Sequence, residues 1–275
     1  AEAIEDISQM PSLERWVLHR LTELDGVVRK ACDDFDFHEM FTELHTFCAS
    51  DLSSFYFDIR KDSLYCDRPD SLKRRSCRTV LYHVYMALTS WLAPVLCFTM
   101  EETWDHRPWK GQGKNQAGQD EPDSVHLRDF YETPQSWQDA ELAEKWQTIR
   151  RLRRVVTGAL EVERANKTIG SSLESNPLVY APAVYHAALA DEGLTDEDLA
   201  EICITSQAEL SEDTPPSEAY RLEDVQDVAV LHRPATGKKC ERCWKTLPDV
   251  GSNPDYPTLS ARDAEAVAYF LANQD

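Results

Sequence analysis

At 275 residues the chain is long enough for two domains, and a hydrophobic content of 42% is enough to build a buried core. Its formal charge is −20, from 49 Asp and Glu against 29 Lys and Arg. That balance argues against nucleic-acid binding through bulk charge, while leaving room for a local basic patch. Apolar runs of about 18 residues are absent, which excludes a membrane-spanning helix and leads to the expectation of a soluble, cytoplasmic protein.

Taken in chain order, Ser12 is expected to cap a helix that carries Leu13, Trp16, Val17, Leu21, Leu24, Val28 and Ala31 on one face. Asp36 with Glu39 forms a capping-box pattern for a second helix, whose apolar face runs from Met40 through Phe47 to Tyr56. Asp70 is placed as the cap of a third, carrying Leu72, Val80, Leu81, Val84, Leu88 and Trp91. Pro94 ends or kinks it and opens a short helix with Val95, Leu96, Phe98 and Met100. Residues 107–123 are polar and Gly-rich and are expected to form a surface loop or disordered insertion. A long helix follows from about Gln138 to Asn166.

After Gly170 the pattern changes. Leu178-Val179-Tyr180, Ile202-Cys203-Ile204 and Val228-Ala229-Val230-Leu231 read as strands, with a helix between Pro182 and Ala190 and another capped by Thr195 with Asp198. The expected fold is mainly α: an antiparallel helical bundle over 1–168, a small α+β unit over 169–234, and a tail with a C-terminal helix over 235–275.

No catalytic signature is present: the chain contains no G-x-S-x-G, P-loop or H-E-x-x-H. His19, His38 and His45 are expected to be surface or internally satisfied residues. Six of the eight cysteines stand alone in apolar stretches, as small buried hydrophobes do in a reducing compartment. The other two form Cys240-x-x-Cys243, half of the four-ligand set that a closed zinc site requires.

Three basic clusters stand against the acidic background: Arg150-Arg151-Leu152-Arg153-Arg154, Arg68 with Lys73, Arg74, Arg75 and Arg78, and Lys238-Lys239-Cys240-Glu241-Arg242-Cys243-Trp244-Lys245. The first two read equally well as solvated faces paired with acidic neighbours. The third sets an aromatic ring among cations, the combination that holds single-stranded nucleic acid.

Several stretches resemble the C-terminal portion of bacterial isoleucyl-tRNA synthetases. Asp51 to Asp67, Trp91-Leu-Ala-Pro-Val-Leu-Cys-Phe-Thr-Met-Glu-Glu-Thr-Trp104 and Glu163-Arg-Ala-Asn-Lys-Thr-Ile-Gly-Ser-Ser-Leu-Glu174 are similar to that family's anticodon-binding domain, and Lys239-Cys-Glu-Arg-Cys-Trp244 to its C-terminal zinc finger. The bundle is therefore expected to be an anticodon-binding bundle and the tail a degenerate zinc finger. The resemblance implies a ligase that joins isoleucine to its tRNA with ATP and Mg. It also implies that the catalytic and editing domains are missing here and that the isolated chain is inactive.

In the family a second C-x-x-C completes the finger, and Ser260 and Asp263 stand in its place here. Neutral Ser is a poor zinc ligand, so Cys240 and Cys243 are expected to be remnants that hold little or no zinc. His232, Asp249, Asp255 and Asp263 are the substitutes open to a site that keeps its metal. The resemblance implies contacts to isoleucine-accepting tRNA from Lys238, Lys239, Arg242, Trp244, Lys245, Arg60, Lys61, Asn166 and Lys167. DNA and membrane are not expected as partners, and a monomer is. The competing reading is a stand-alone structural or protein-interaction module, for which the −20 charge argues.

Overall fold

The computed structural model describes residues 3–110 and 120–273. The Gly-rich centre of the expected 107–123 loop lies outside the described residues. The fold class is the expected one: mainly α, with a small mixed sheet and a finger-like C-terminal region.

Helix α1 (Ser12–Asp34) buries its apolar stripe, and it starts one residue earlier than a Ser12 cap requires. Pro11 occupies the N-cap position, and Ser12 is buried inside the first turn. Phe35 ends the helix in the left-handed conformation at φ 56°. Asp36 caps α2 (Phe37–Thr46) by accepting from the His38 amide, one residue short of the box partner Glu39. A π-helical stretch, Phe47–Phe57, leads into α3 (Asp58–Cys66). Helix α4 (Leu72–Leu92) is capped by Ser71, whose Oγ accepts from the Arg74 amide; Asp70 pairs with Arg68 instead. Helix α5 (Cys97–Asp105) begins after a turn at Pro94, and α6 (Ala140–Ala165) is the expected long helix.

Contacts divide the chain into two compact units that do not follow linear order: Glu2–Ala49 with Arg75–Asp139, and Ser50–Arg74 with Ala140–Asp275. In the first, α1 packs on α2, and Asp25 accepts from the Thr133 hydroxyl at 3.0 Å. The Trp104 ring carries Arg107 at 4.1 Å and Arg128 at 4.4 Å, cation–π contacts in which two guanidiniums share one aromatic ring.

The second unit is built on α6. Trp146, Ile149, Leu152, Val155 and Val156 form its buried face. Strands β1 (Leu178–Tyr180), β2 (Glu209–Ser211), β3 (Tyr220–Leu222) and β4 (Val225–Leu231) make a sheet in the order β2-β1-β4-β3, with β1 parallel to β2 and antiparallel to β4. Helix α7 (Ala183–Ala190) packs on α6.

Ile202-Cys203-Ile204 is not a strand. It ends α8 (Asp196–Cys203), where the Thr195–Asp198 capping box fixes the start, and Leu199, Ala200, Ile202 and Cys203 are buried at helical spacing. Strands β5 (Lys238–Lys239) and β6 (Thr246–Leu247) form a short antiparallel hairpin, and α9 (Ala261–Ala272) closes the chain. No helix among the described residues is long and apolar enough to cross a membrane.

Gly237 enters the hairpin at φ 116°, and a Cβ there would lie 2.2 Å from the Leu247 carbonyl carbon. Gly237→Ala is therefore expected to lower stability by about 1–3 kcal/mol, because an alanine must either strain or push the hairpin open. Urea denaturation of the variant checks this.

Candidate nucleic-acid interface

The candidate site lies wholly within the second unit. Between β5 and β6 the chain makes a tight turn in which the Cys240 amide donates to the Lys245 carbonyl (2.8 Å) and the Trp244 amide to the Cys240 carbonyl (3.0 Å). Closing that turn puts Trp244 in the left-handed region at φ 65°. Bulky side chains avoid this conformation, and its cost is borne by surrounding contacts. The result is an indole that is 65% exposed.

Beneath the turn lies a buried polar cluster. Cys240, Ser260 and Asp263 are 0%, 1% and 0% exposed. Asp263 Oδ2 accepts from the Cys240 thiol at 3.1 Å and from the Ser260 hydroxyl at 3.0 Å. Its Oδ1 accepts from Arg242 at 2.8 Å and, more distantly, from Arg262 at 3.4 Å. Ser260 is the N-cap of α9, with its Oγ accepting from the Asp263 amide at 3.3 Å. Asp249 accepts from the Ala261 amide at 2.8 Å, so two side chains satisfy the first turn.

Burial works to raise the Asp263 carboxyl, but the Cys243 thiol, the Arg262 charge and the Cys240 and Ser260 hydrogen bonds outweigh it and hold the group below the usual carboxylate range. Burial, with the Asp263 anion beside it, pushes the Cys243 thiol up. Cys66 packs in the same cluster and is pushed up to about 11, chiefly by burial.

Cys240, Cys243 and Asp263 bring their donor atoms within 4.8 Å of one another, and they are the one such group of three or more among the described residues. Three donors can hold part of a tetrahedral zinc shell, and the fourth vertex would fall to Ser260, a neutral hydroxyl. A finger-like cluster with a possible metal site is present. Its donor set is short of a closed structural one, and its carboxylate already takes four hydrogen bonds.

The residues expected to contact RNA differ in exposure and in partners. Lys61, Arg242, Trp244 and Lys245 line one cleft of about 470 Å³, together with Ile59, Leu173 and Ile204. Of these, Trp244 and Lys61 are exposed, as are Lys238 and Lys239 on β5 and Asn166 and Lys167 beyond α6. Lys167, like Trp244, is a non-glycine residue at positive φ (62°).

Three of the expected contacts, two of them on the cleft lining, are engaged by protein partners. Arg60 is 4% exposed and pairs with Glu201 at 2.8 Å. Lys245 pairs with Asp62 at 3.3 Å, and Arg242 is spent on Asp263 and on the carbonyls of Cys66 and Tyr65. Tyr65 lines the cleft and is 76% exposed. Sequence reasoning missed it, although its position one helical turn after Lys61 was a usable signal.

The family profile described as "Anticodon-binding domain of tRNA ligase" matches residues 14–179, and the one described as "Zinc finger found in FPG and IleRS" matches residues 237–266. The chain belongs to the anticodon-binding-domain family of tRNA ligases.

Its curated relatives narrow the likeness further. It is 49% identical to the isoleucine--tRNA ligase of Bartonella henselae over 94% of this chain and 25% of that protein. The enzymes of the same name from Brucella melitensis and Rhodopseudomonas palustris are each 47% identical, over 94% and 96% of this chain and 25% of each relative. The chain thus spans about a quarter of the length of the curated relatives it matches.

Proposed function

We propose that this chain is the tRNA-recognising portion of an isoleucine–tRNA ligase and that it grips the anticodon arm of isoleucine-accepting tRNA. The observation that carries the reading is Trp244, a large indole held outward in a left-handed turn beside exposed lysines in a chain of charge −20. Trp244 stacks on an unpaired base, with Tyr65 on the same cleft, and Lys61, Lys238, Lys239 and Lys167 meet phosphates, with Asn166 beside them.

Joining isoleucine to tRNA with ATP and Mg belongs, on this reading, to a longer cytoplasmic enzyme. This chain supplies RNA affinity and no chemistry, so ATP–pyrophosphate exchange driven by isoleucine is expected to stay at background. The tRNA itself tests the reading: affinity should fall steeply with salt, because each phosphate contact releases counterions. Salt-independent binding, or none, would replace it with the protein-interaction reading.

The finger is read as holding no firmly bound zinc, since its carboxylate and thiols already satisfy one another. Elemental analysis of the purified chain should find well under one zinc per chain, and EDTA should leave the melting temperature unchanged. A tightly held equivalent of zinc contradicts this.

A further inference from the structure

Arg242 sits where the finger's buried cluster meets the end of α3. Its Nη1 donates to Asp263 Oδ1 at 2.8 Å and to the Cys66 carbonyl at 2.6 Å, and its Nη2 donates to the Tyr65 carbonyl at 2.9 Å. Those carbonyls belong to the last turn of α3, the negative end of its dipole, where a cation is favoured. Asp263 is fully buried, and an uncompensated carboxylate there would be very costly.

A zinc finger solves the same problem in the opposite sense. Its anionic ligands point their lone pairs at one central cation. Here the Cys240 thiol and Ser260 hydroxyl donate to the carboxylate at 3.1 and 3.0 Å, and the positive charge arrives from the side on a guanidinium. The donor set and the hydrogen-bond directions both depart from what a closed metal site needs.

We propose that the Arg242 guanidinium is an internal cation that stands in for the metal ion, tying α9 and the Cys240–Cys243 turn to α3 and so setting the position of Trp244. Arg242 is a positioning residue: it reaches RNA through Trp244, two residues along, while its Nη1 and Nη2 are engaged by Asp263 and the α3 carbonyls. Lysine cannot replace it, because a point charge does not span one carboxylate and two carbonyls in a fixed plane. The RNA half of this inference rests on the proposed function; the folding half does not.

The test uses the whole chain, with thermal melting and RNA titration run in parallel. Arg242→Ala and Arg242→Lys are each expected to lower the melting temperature by about 4 °C or more. Both should weaken RNA binding while leaving its salt slope unchanged. Loss of a direct phosphate contact would instead reduce the slope by about 0.7–0.9 per contact at an unchanged melting temperature, and that result overturns the proposal.

Because Arg242→Ala could unfold the finger outright, a second variant combines it with Ser260→Cys and Asp263→Cys, which rebuilds four thiolates. Zinc is expected to restore the melting temperature of this triple variant and, with it, RNA binding. Failure to take up zinc, or uptake without recovered stability, overturns the exchange of one cation for the other. If the chain binds no RNA at all, the proposed function fails, while the melting arm still decides the role of Arg242.

Discussion

Trp244→Ala is expected to weaken binding of the anticodon stem-loop by about 1–3 kcal/mol, the range measured for losing one base–aromatic stack. Stability should hardly change, because an indole that is 65% exposed contributes little to the core. It could even rise, since alanine tolerates the φ of 65° no worse than tryptophan does. The pairing of lost affinity with intact folding is the signature to look for by filter binding and circular dichroism. Unchanged affinity removes the stacking role.

The second large effect concerns Arg60. Its partner Glu201 also accepts from Lys73 at 2.5 Å and from the Ser63 hydroxyl at 3.1 Å. Burial would raise that carboxyl, but Arg60 and Lys73 outweigh it and bring it down to about 2. Removing one partner of a buried pair costs about 3–5 kcal/mol, and the lower end applies here because Lys73 remains beside the carboxylate. Arg60→Ala should therefore shift the urea midpoint markedly.

Lys61 is the contrast. It is 63% exposed at its pair with Asp58, and such surface pairs are worth about 0–1 kcal/mol. Lys61→Ala should alter the salt dependence of RNA binding and barely touch stability. Adjacent cations in one helix thus have opposite roles, decided by burial.

The same carboxyl sets an acid limit. Glu201 titrates near 2 in the folded chain and at about 4.3 when unfolded, so the unfolded state binds the extra proton as pH falls through that window. The stabilisation is complete above about 4.3 and disappears towards pH 2. Asp62, held down to about 2 by Arg262 and Lys245 against its burial, adds to the same limb. Glu201→Gln should flatten the stability–pH curve below about pH 4.5 while lowering stability at neutral pH. A curve of unchanged steepness would contradict the assignment.

Much of this fold could be read before any coordinates. The 3.6-residue periodicity of α1 and α6 marked their buried faces, and the Thr195–Asp198 pattern marked a helix start, because capping is a local event. Local signals failed where neighbours competed. Ser12 and Asp70 are good caps, but Pro11 and Ser71 took those places. Ile202-Cys203-Ile204 has β-rich composition, yet it lies one turn below a capping box, so Ile202 and Cys203 stay helical and Ile204 ends the helix in the left-handed conformation. The strands β2, β3, β5 and β6 are two or three residues long, too short to show an alternation.

The candidate site was legible in part for the same reason. The basic, aromatic turn and the replaced ligand pair were visible as residue types. Whether a given cation faces outward was not, because it depends on partners far along the chain: Glu201 for Arg60, Asp62 for Lys245, and Cys66 and Tyr65 for Arg242. Asp263 stands where a metal ligand is missing, and the site's charge balance became clear only once both arginines were seen on its Oδ1.

The central claim is recognition of one tRNA by this chain, and a titration with two transcripts tests it most directly. Gel-shift midpoints for isoleucine-accepting tRNA and for a tRNA of another amino acid should differ by about tenfold or more, with both rising as salt increases. Equal midpoints for the two transcripts, or no shift with either, would contradict the account.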